Sequence, residues 1–153
     1  MSALELKIPP PAVVLVVGVL MWLASSMAHF SEFTVPGRTR FAVGFALIGF
    51  TVSALGFVSF RRVGTTVNPR EPSAASTLVV AGIYGLTRNP MYLGLLLVLI
   101  GWSIFLSNIA AVVFVPVFVL YLDRFQIAPE ERALVLKFGS EYETYKSRVR
   151  RWL

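Results

Sequence analysis

Four stretches of the 153-residue chain are apolar and free of charge: about Ala12–Ala28, Phe41–Phe60, Met91–Ser107 and Ile109–Leu122. A hydrocarbon core about 30 Å thick needs roughly 17–25 helical residues, so each stretch predicts a spanning helix or most of one. Only Ser107-Asn108 separates the third and fourth. They predict a tight helical hairpin with Asn108 near its turn and a proline kink at Pro116. The polar 61–78 segment, with Gly64, Pro69 and Pro72, predicts a loop. After the fourth stretch, Pro129 predicts the start of a new helix. Ile127, Glu131, Leu134 and Phe138 fall on one face of that helix. The expected fold is all-α: a single domain over 1–153, a polytopic membrane helical bundle of about four transmembrane helices plus a C-terminal amphipathic helix.

Composition agrees with this pattern. Hydrophobic residues make up 56% of the chain and charged residues 14%, against about a quarter charged in a soluble domain. This excludes a disordered chain, a nucleic-acid-binding tail and most soluble enzymes. The net charge of +6 gains a different meaning once its positions are seen. Arg61, Arg62, Arg70 and Arg88 lie between the second and third spans. Arg124, Arg132, Lys137, Lys146, Arg148, Arg150 and Arg151 follow the fourth. The positive-inside rule puts both groups in the cytoplasm with both termini, and leaves Arg38 and Arg40 outside against the trend. Anionic headgroups, not nucleic acid, suit such bases. The leader holds Glu5, Lys7 and three prolines in place of a basic run, so the first span is read as a retained helix and not a cleaved signal peptide. With no cysteine and one histidine, His29, no metal-ligand pattern exists, and no metal is expected.

Small residues at Ala42, Ala46, Gly49, Ser53 and Gly56 form a row along the second span, which lets a neighbouring helix approach closely. Two other signals bear on chemistry. Asn89 followed by Pro90 marks a helix start, with Asn89 as the cap. Its free N–H groups and Arg88 beside it suit an anion, since arginine can grip a carboxylate through two parallel bonds. The same residues also read as a capped helix with an arginine on lipid phosphate. The second signal is Glu130-Glu131. Acids in a first helical turn are stabilising, which accounts for Glu130. Glu131 sits within an apolar stripe and demands a cationic partner. The Lys146–Leu153 tail, with Trp152, reads as a membrane-surface anchor. His29 reads as interfacial, and Asp123-Arg124 as an interfacial ion pair close to the same region.

Together these residues carry a resemblance. Gly82-x-Tyr84…Arg88-Asn89-Pro90-x-Tyr92-x-Gly94 comes first. Glu130-Glu131-x-x-Leu134-x-x-x-Phe138-Gly139-x-x-Tyr142-x-x-Tyr145-x-x-x-Val149-x-Arg151-Trp152 follows. The two are similar to the isoprenylcysteine carboxyl methyltransferase and phospholipid methyltransferase superfamily. The resemblance covers about 65–153, with Thr66 and Asn68-Pro69 in the preceding loop. It implies an integral-membrane methyltransferase using S-adenosylmethionine. It places Gly82 and Tyr84 against the cofactor, Arg88, Asn89, Pro90 and Tyr92 in one wall, Glu130 and Glu131 in another, and Arg88 and Glu131 as the catalytic pair. Histidine is common at the position of Asn89 in eukaryotic members. The chain resembles the shorter bacterial ones, which implies the bacterial inner (cytoplasmic) membrane. The implied partners are the lipid bilayer and a lipophilic or amphiphilic methyl acceptor: a carboxylate, an amine or a thiol. Aromatic faces suit a sulfonium cation, and methyl transfer needs positioning more than proton transfer.

Two other classes compete with this reading. One is a non-catalytic bundle that binds anionic lipid or a partner through its basic tail. The other is a small transporter, but no charge lies in the middle of any span, where transporters hold their ligands. Arg88 and Glu131 separate enzyme from lipid binder: an enzyme needs both at one pocket.

Overall fold

The computed structural model describes residues 5–64 and 76–153. The centre of the polar loop read at 61–78, including Thr66, Asn68, Pro69, Arg70 and Pro72, lies outside the described residues. The elements are helices α1 (Pro10–Met27), α2 (Arg38–Val63), α3 (Pro90–Leu106), α4 (Ile109–Leu122), α5 (Ala128–Phe138) and α6 (Ser140–Arg148). Short 3₁₀ turns at His29–Ser31 and Gly82–Gly85 lie between them.

Among the described residues three helical stretches are long and apolar enough to cross a membrane: Pro10–Met27, Arg38–Val63 and the continuous Ile109–Phe138. The fourth expected span, α3, is shorter at 17 residues, about 25 Å of helix and at the lower end of spanning length. The bundle's outer faces are apolar. Phe50 and Leu120 are each 67% exposed, a surface that suits lipid and not water.

Helix α3 is the hub, with α2 along one side and α1 and α4 along the other. Met21, Leu99, Ala111, Phe118 and Leu122 fill the α1–α3–α4 core and are almost fully buried. The α2–α3 contact uses the row of small residues. A Cβ on Gly49 would stand 2.5 Å from the Gly94 carbonyl, and one on Gly101 would stand 2.9 Å from that of Ala42. Ser53 Oγ adds a hydrogen bond to the Met91 carbonyl at 3.1 Å. Backbones can approach this closely only where side chains are absent.

The hairpin turn is as expected. Ser107 adopts a left-handed conformation (φ 50°), and the buried Asn108 side chain caps α4 by accepting from Ala110 N at 2.8 Å. Asn108 also donates to the Ala28 carbonyl at 2.9 Å, tying the turn to the end of α1. Pro116 lies inside α4, which runs through it.

One expectation fails at Pro129. No new helix starts there. The α4 helix continues through a single π turn, Asp123–Ile127, into α5. Proline has no N–H, so the Phe125 carbonyl four residues back loses its helical donor. The Leu6 N–H takes that carbonyl at 3.0 Å. Gln126 Nε2 donates to the Ile8 carbonyl at 2.7 Å, and Arg132 pairs with Glu5 at 2.9 Å. The segment before α1 is thereby strapped across the π turn. The starts of α1 and α3 and the ends of α2 and α4 meet at this end of the bundle, together with α5, α6 and the C-terminal tail.

Candidate functional site

A cavity of about 590 Å³ opens where these ends meet. That volume lies within the usual range for small-molecule sites. Its lower wall is apolar: Pro10 and Pro11 at the start of α1, Phe50, Ala54 and Phe57 on α2, and Leu95 on α3. Phe50 and Phe57 are also on the exposed outer face of α2, so the cavity borders the apolar surface of the bundle. Its polar end holds Tyr84, Arg88, Asn89, Tyr92, Glu130, Glu131, Tyr142 and Tyr145.

Of the residues expected from the sequence, Tyr84, Arg88, Asn89, Tyr92, Glu130 and Glu131 line this one cavity. Gly82 and Pro90 do not line it. Gly82 begins the 3₁₀ turn with φ +64°, a conformation that favours glycine. Pro90 is buried at the first position of α3 and fixes where that helix begins.

At the polar end, Arg88 Nη2 lies 3.0 Å from Glu131 Oε1, and both side chains are nearly buried. This supplies the cation that the apolar position of Glu131 demands. It also brings Arg88 and Glu131 together on one cavity. Arg88 Nε and Nη1 are buried and find no hydrogen-bond partner among the described residues. Unmet buried donors are costly, the more so on a charged group, and a ligand acceptor would relieve them.

The two carboxylates differ. Both oxygens of Glu131 are occupied: Oε1 by Arg88 and by Arg151 Nε at 3.1 Å, and Oε2 by Arg151 Nη2 at 2.7 Å. Glu130 accepts one bond, from Tyr92 OH at 3.1 Å to Oε2. Glu130 therefore keeps acceptor capacity on the cavity wall.

The sequence reading missed Arg151, Asp123 and Trp152. The tail was read as a surface anchor and Asp123 as the partner of Arg124. Instead, Arg151 Nη1 reaches Asp123 Oδ1 at 3.2 Å, and Trp152 Nε1 donates to the same oxygen at 3.3 Å. The signal lay in the Arg151-Trp152 end of the quoted motif. What hid it was helix register. Eight residues of regular α-helix separate Asp123 from Glu131, leaving them about 80° apart around the axis. The π turn absorbs one residue and brings them to roughly 20° of alignment.

Asn89 is the other correction. Its side chain makes no cap bond. Asn89 Nδ2 donates to the Arg151 carbonyl at 2.9 Å. Thr87 Oγ1 accepts from Asn89 N at 3.2 Å and donates to the Arg151 carbonyl at 3.2 Å.

Aromatic residues close the remaining side. Tyr145 OH donates to the Tyr84 carbonyl at 2.7 Å, and the Tyr84 ring meets Phe60 edge-on at 5.3 Å. Burial pushes the Tyr84, Tyr142 and Tyr145 phenols well above the ordinary tyrosine range. They stay protonated near neutral pH and present neutral aromatic walls to the cavity.

Comparison with known proteins gives a consistent setting. The model of a family described as phospholipid methyltransferase matches residues 37–141. An uncharacterized protein of Haemophilus influenzae is 52% identical over 63 residues, 41% of this chain and all of that protein. The Delta(14)-sterol reductase of Mus musculus is 26% identical over 152 residues, 88% of this chain and 36% of the reductase. The Protein-S-isoprenylcysteine O-methyltransferase of Schizosaccharomyces pombe is 29% identical over 111 residues, 71% of this chain and 46% of that enzyme. The chain thus spans less than half the length of these last two relatives. No solved structure matches it.

Proposed function

Because the chain belongs to the phospholipid methyltransferase family, we propose that it is a membrane methyltransferase. In this reading it transfers the methyl group of S-adenosylmethionine to a lipophilic or amphiphilic acceptor that enters from the bilayer. The observation that carries the reading is the pair of unmet donors on buried Arg88, at the polar end of a cavity whose other end is apolar and borders the outer face of α2.

The residues present fit the cofactor. Arg88 Nε and Nη1 flank the Nη2 that holds Glu131, two separate donors suited to acceptor oxygens such as those of the amino-acid carboxylate. Glu130 Oε1 suits the ammonium or the ribose hydroxyls. Tyr84, Tyr142 and Tyr145 offer aromatic surface to the adenine or to the sulfonium. Tyr92 orients Glu130, and Asn89 holds the C-terminal tail against the site. S-adenosylmethionine supplies an electrophilic methyl group already activated by its sulfonium. What remains for the protein is alignment and exclusion of water. Glu131, with both oxygens taken by arginines, acts through Arg88.

The acceptor's tail belongs against Phe50, Ala54, Phe57 and Leu95, with its polar head toward the carboxylate end. Arg61, Arg62, Arg88 and the bases of α5 and α6 gather at the site's end of the bundle. By the positive-inside rule this supports a cytoplasmic site with both termini on that side; the bacterial inner membrane is proposed from the resemblance to shorter bacterial members.

The test is transfer of label from methyl-labelled cofactor, offered with a total lipid extract and separately with an aqueous metabolite fraction. Enzyme-dependent label in the lipid extract is expected. Label confined to aqueous molecules overturns the acceptor class, and no transfer to either overturns the activity.

A further inference from the structure

Arg150 and Arg151 lie behind the cavity's polar end, bonded to residues that line it or flank them. Arg151 forks onto Glu131 through Nε and Nη2, at 3.1 and 2.7 Å, and reaches Asp123 through Nη1 at 3.2 Å. Its carbonyl accepts from Thr87 and Asn89, on either side of Arg88. The Arg150 carbonyl accepts from Arg88 N at 3.0 Å. The tail is therefore bonded to the backbone and side chains that carry Arg88.

The charges run in alternating order: Asp123, Arg151, Glu131, Arg88. Arg88 is the end of this series, and two of its buried donors are unmet. The Glu131 hydrogen bonds also raise the Arg151 pKa, so its positive charge is held more firmly.

We propose that Arg151 is a positioning residue: by clamping both oxygens of Glu131 it leaves Glu131 a single contact with Arg88, through Nη2, and so keeps the Nε and Nη1 donors of Arg88 available to acceptor oxygens of the cofactor. This rests on the function proposed above. Without the clamp, Glu131 is free to turn and pair with Arg88 through two parallel bonds, the geometry that arginine and carboxylate favour. Arg88 would then be neutralised by its own neighbour, and the cofactor carboxylate would meet a spent donor. A lysine at 151 keeps the charge but not the fork, and restores the clamp only in part.

The experiment uses the full chain in detergent, with S-adenosylhomocysteine as the probe in calorimetric titration. Thermal unfolding is recorded for every variant. Wild type, Arg151→Ala, Arg151→Lys and Lys146→Ala are compared. Arg151→Ala is expected to bind about 10–100-fold more weakly, the scale of hydrogen bonds to charged groups. Arg151→Lys should fall between it and wild type, guanidinium ion should restore part of the Arg151→Ala loss, and Lys146→Ala should match wild type. Wild-type affinity in folded Arg151→Ala overturns the proposal. So does a loss that guanidinium does not relieve. Should Arg151→Ala not fold, Arg151→Lys decides: intermediate affinity supports the fork, and wild-type affinity or none overturns it. A wild-type protein that binds no S-adenosylhomocysteine overturns the functional reading itself, a result distinct from any of these.

Discussion

Arg88 and Glu131 meet at 3.0 Å although the whole α3–α4 hairpin separates them in sequence. Arg88 stands just before α3 because Pro90 fixes that helix's first residue. Glu131 reaches it because the helix after α4 continues past Pro129 through a π turn. The contact therefore depends on the helix start at Pro90, on the π turn at Asp123–Ile127, and on the hairpin that brings them to one end of the bundle.

Glu131→Gln removes the anion between two arginines and leaves both without a full partner. Breaking a buried pair from one side costs about 3–5 kcal/mol. A lower unfolding temperature in detergent is expected, with S-adenosylhomocysteine binding weaker by about 1.5–3 kcal/mol. Thermal unfolding and titration of the same sample check both. Unchanged values in the two measurements would contradict the role given to this carboxylate.

The α2–α3 contact gives a prediction independent of the site. Gly94 faces Gly49 and Ser53 so closely that any side chain forces the helices apart. Gly94→Val should destabilise the bundle by about 1–3 kcal/mol or more, the usual cost of overpacking. Gly44→Val, in open space on the same α2 helix, should cost far less. Equal unfolding temperatures for the two variants would show that the small residues are not what seats α2.

The apolar spans, the hairpin turn and the motif residues around Arg88 and Glu131 were legible in the sequence. Each depends on local pattern: uninterrupted apolar runs, Ser107-Asn108 between two of them, and an acid stranded in an apolar stripe. What was not legible was how the chain compensates for Pro129. A proline reads locally as a helix start. Only the Leu6 N–H, from the far end of the chain, satisfies the carbonyl it frees and lets the helix continue. The same non-local cause hid Asp123, whose alignment with Glu131 requires the π turn. Asn89 misled for a related reason: its side chain found the Arg151 carbonyl, which no sequence window around residue 89 contains.

Topology is tested by reporter fusions at Phe33 and after Leu153. The turn at 29–37 lies with Asn108 at one end of the bundle, joined by the Ser31–Asn108 bond at 2.7 Å. The C-terminal tail lies at the other end with Arg88. The two reporters should report opposite sides of the membrane. Agreement between them would contradict the arrangement of spans.

Alkaline pH offers a further check. Burial raises the Tyr142 pKa above that of an unfolded tyrosine. Its contribution to stability is therefore fully present below about pH 10, the unfolded value, and is lost as pH rises beyond it toward the folded value. Tyr142→Phe should lose less stability than wild type between pH 9 and 11, on the order of the span over which a free phenol titrates. Parallel pH curves for the two proteins would show that this phenol is not held neutral by the fold.

In the function proposed above, the cavity takes S-adenosylmethionine through the two unpaired donors of Arg88. Calorimetric titration of the purified wild-type protein and of Arg88→Ala with S-adenosylhomocysteine tests it most directly, since no acceptor is needed. Saturable binding in wild type is expected, weakened by about 1.5–3 kcal/mol in Arg88→Ala with the fold intact. No saturable heat in the wild type, or equal affinity in the two folded proteins, would contradict it.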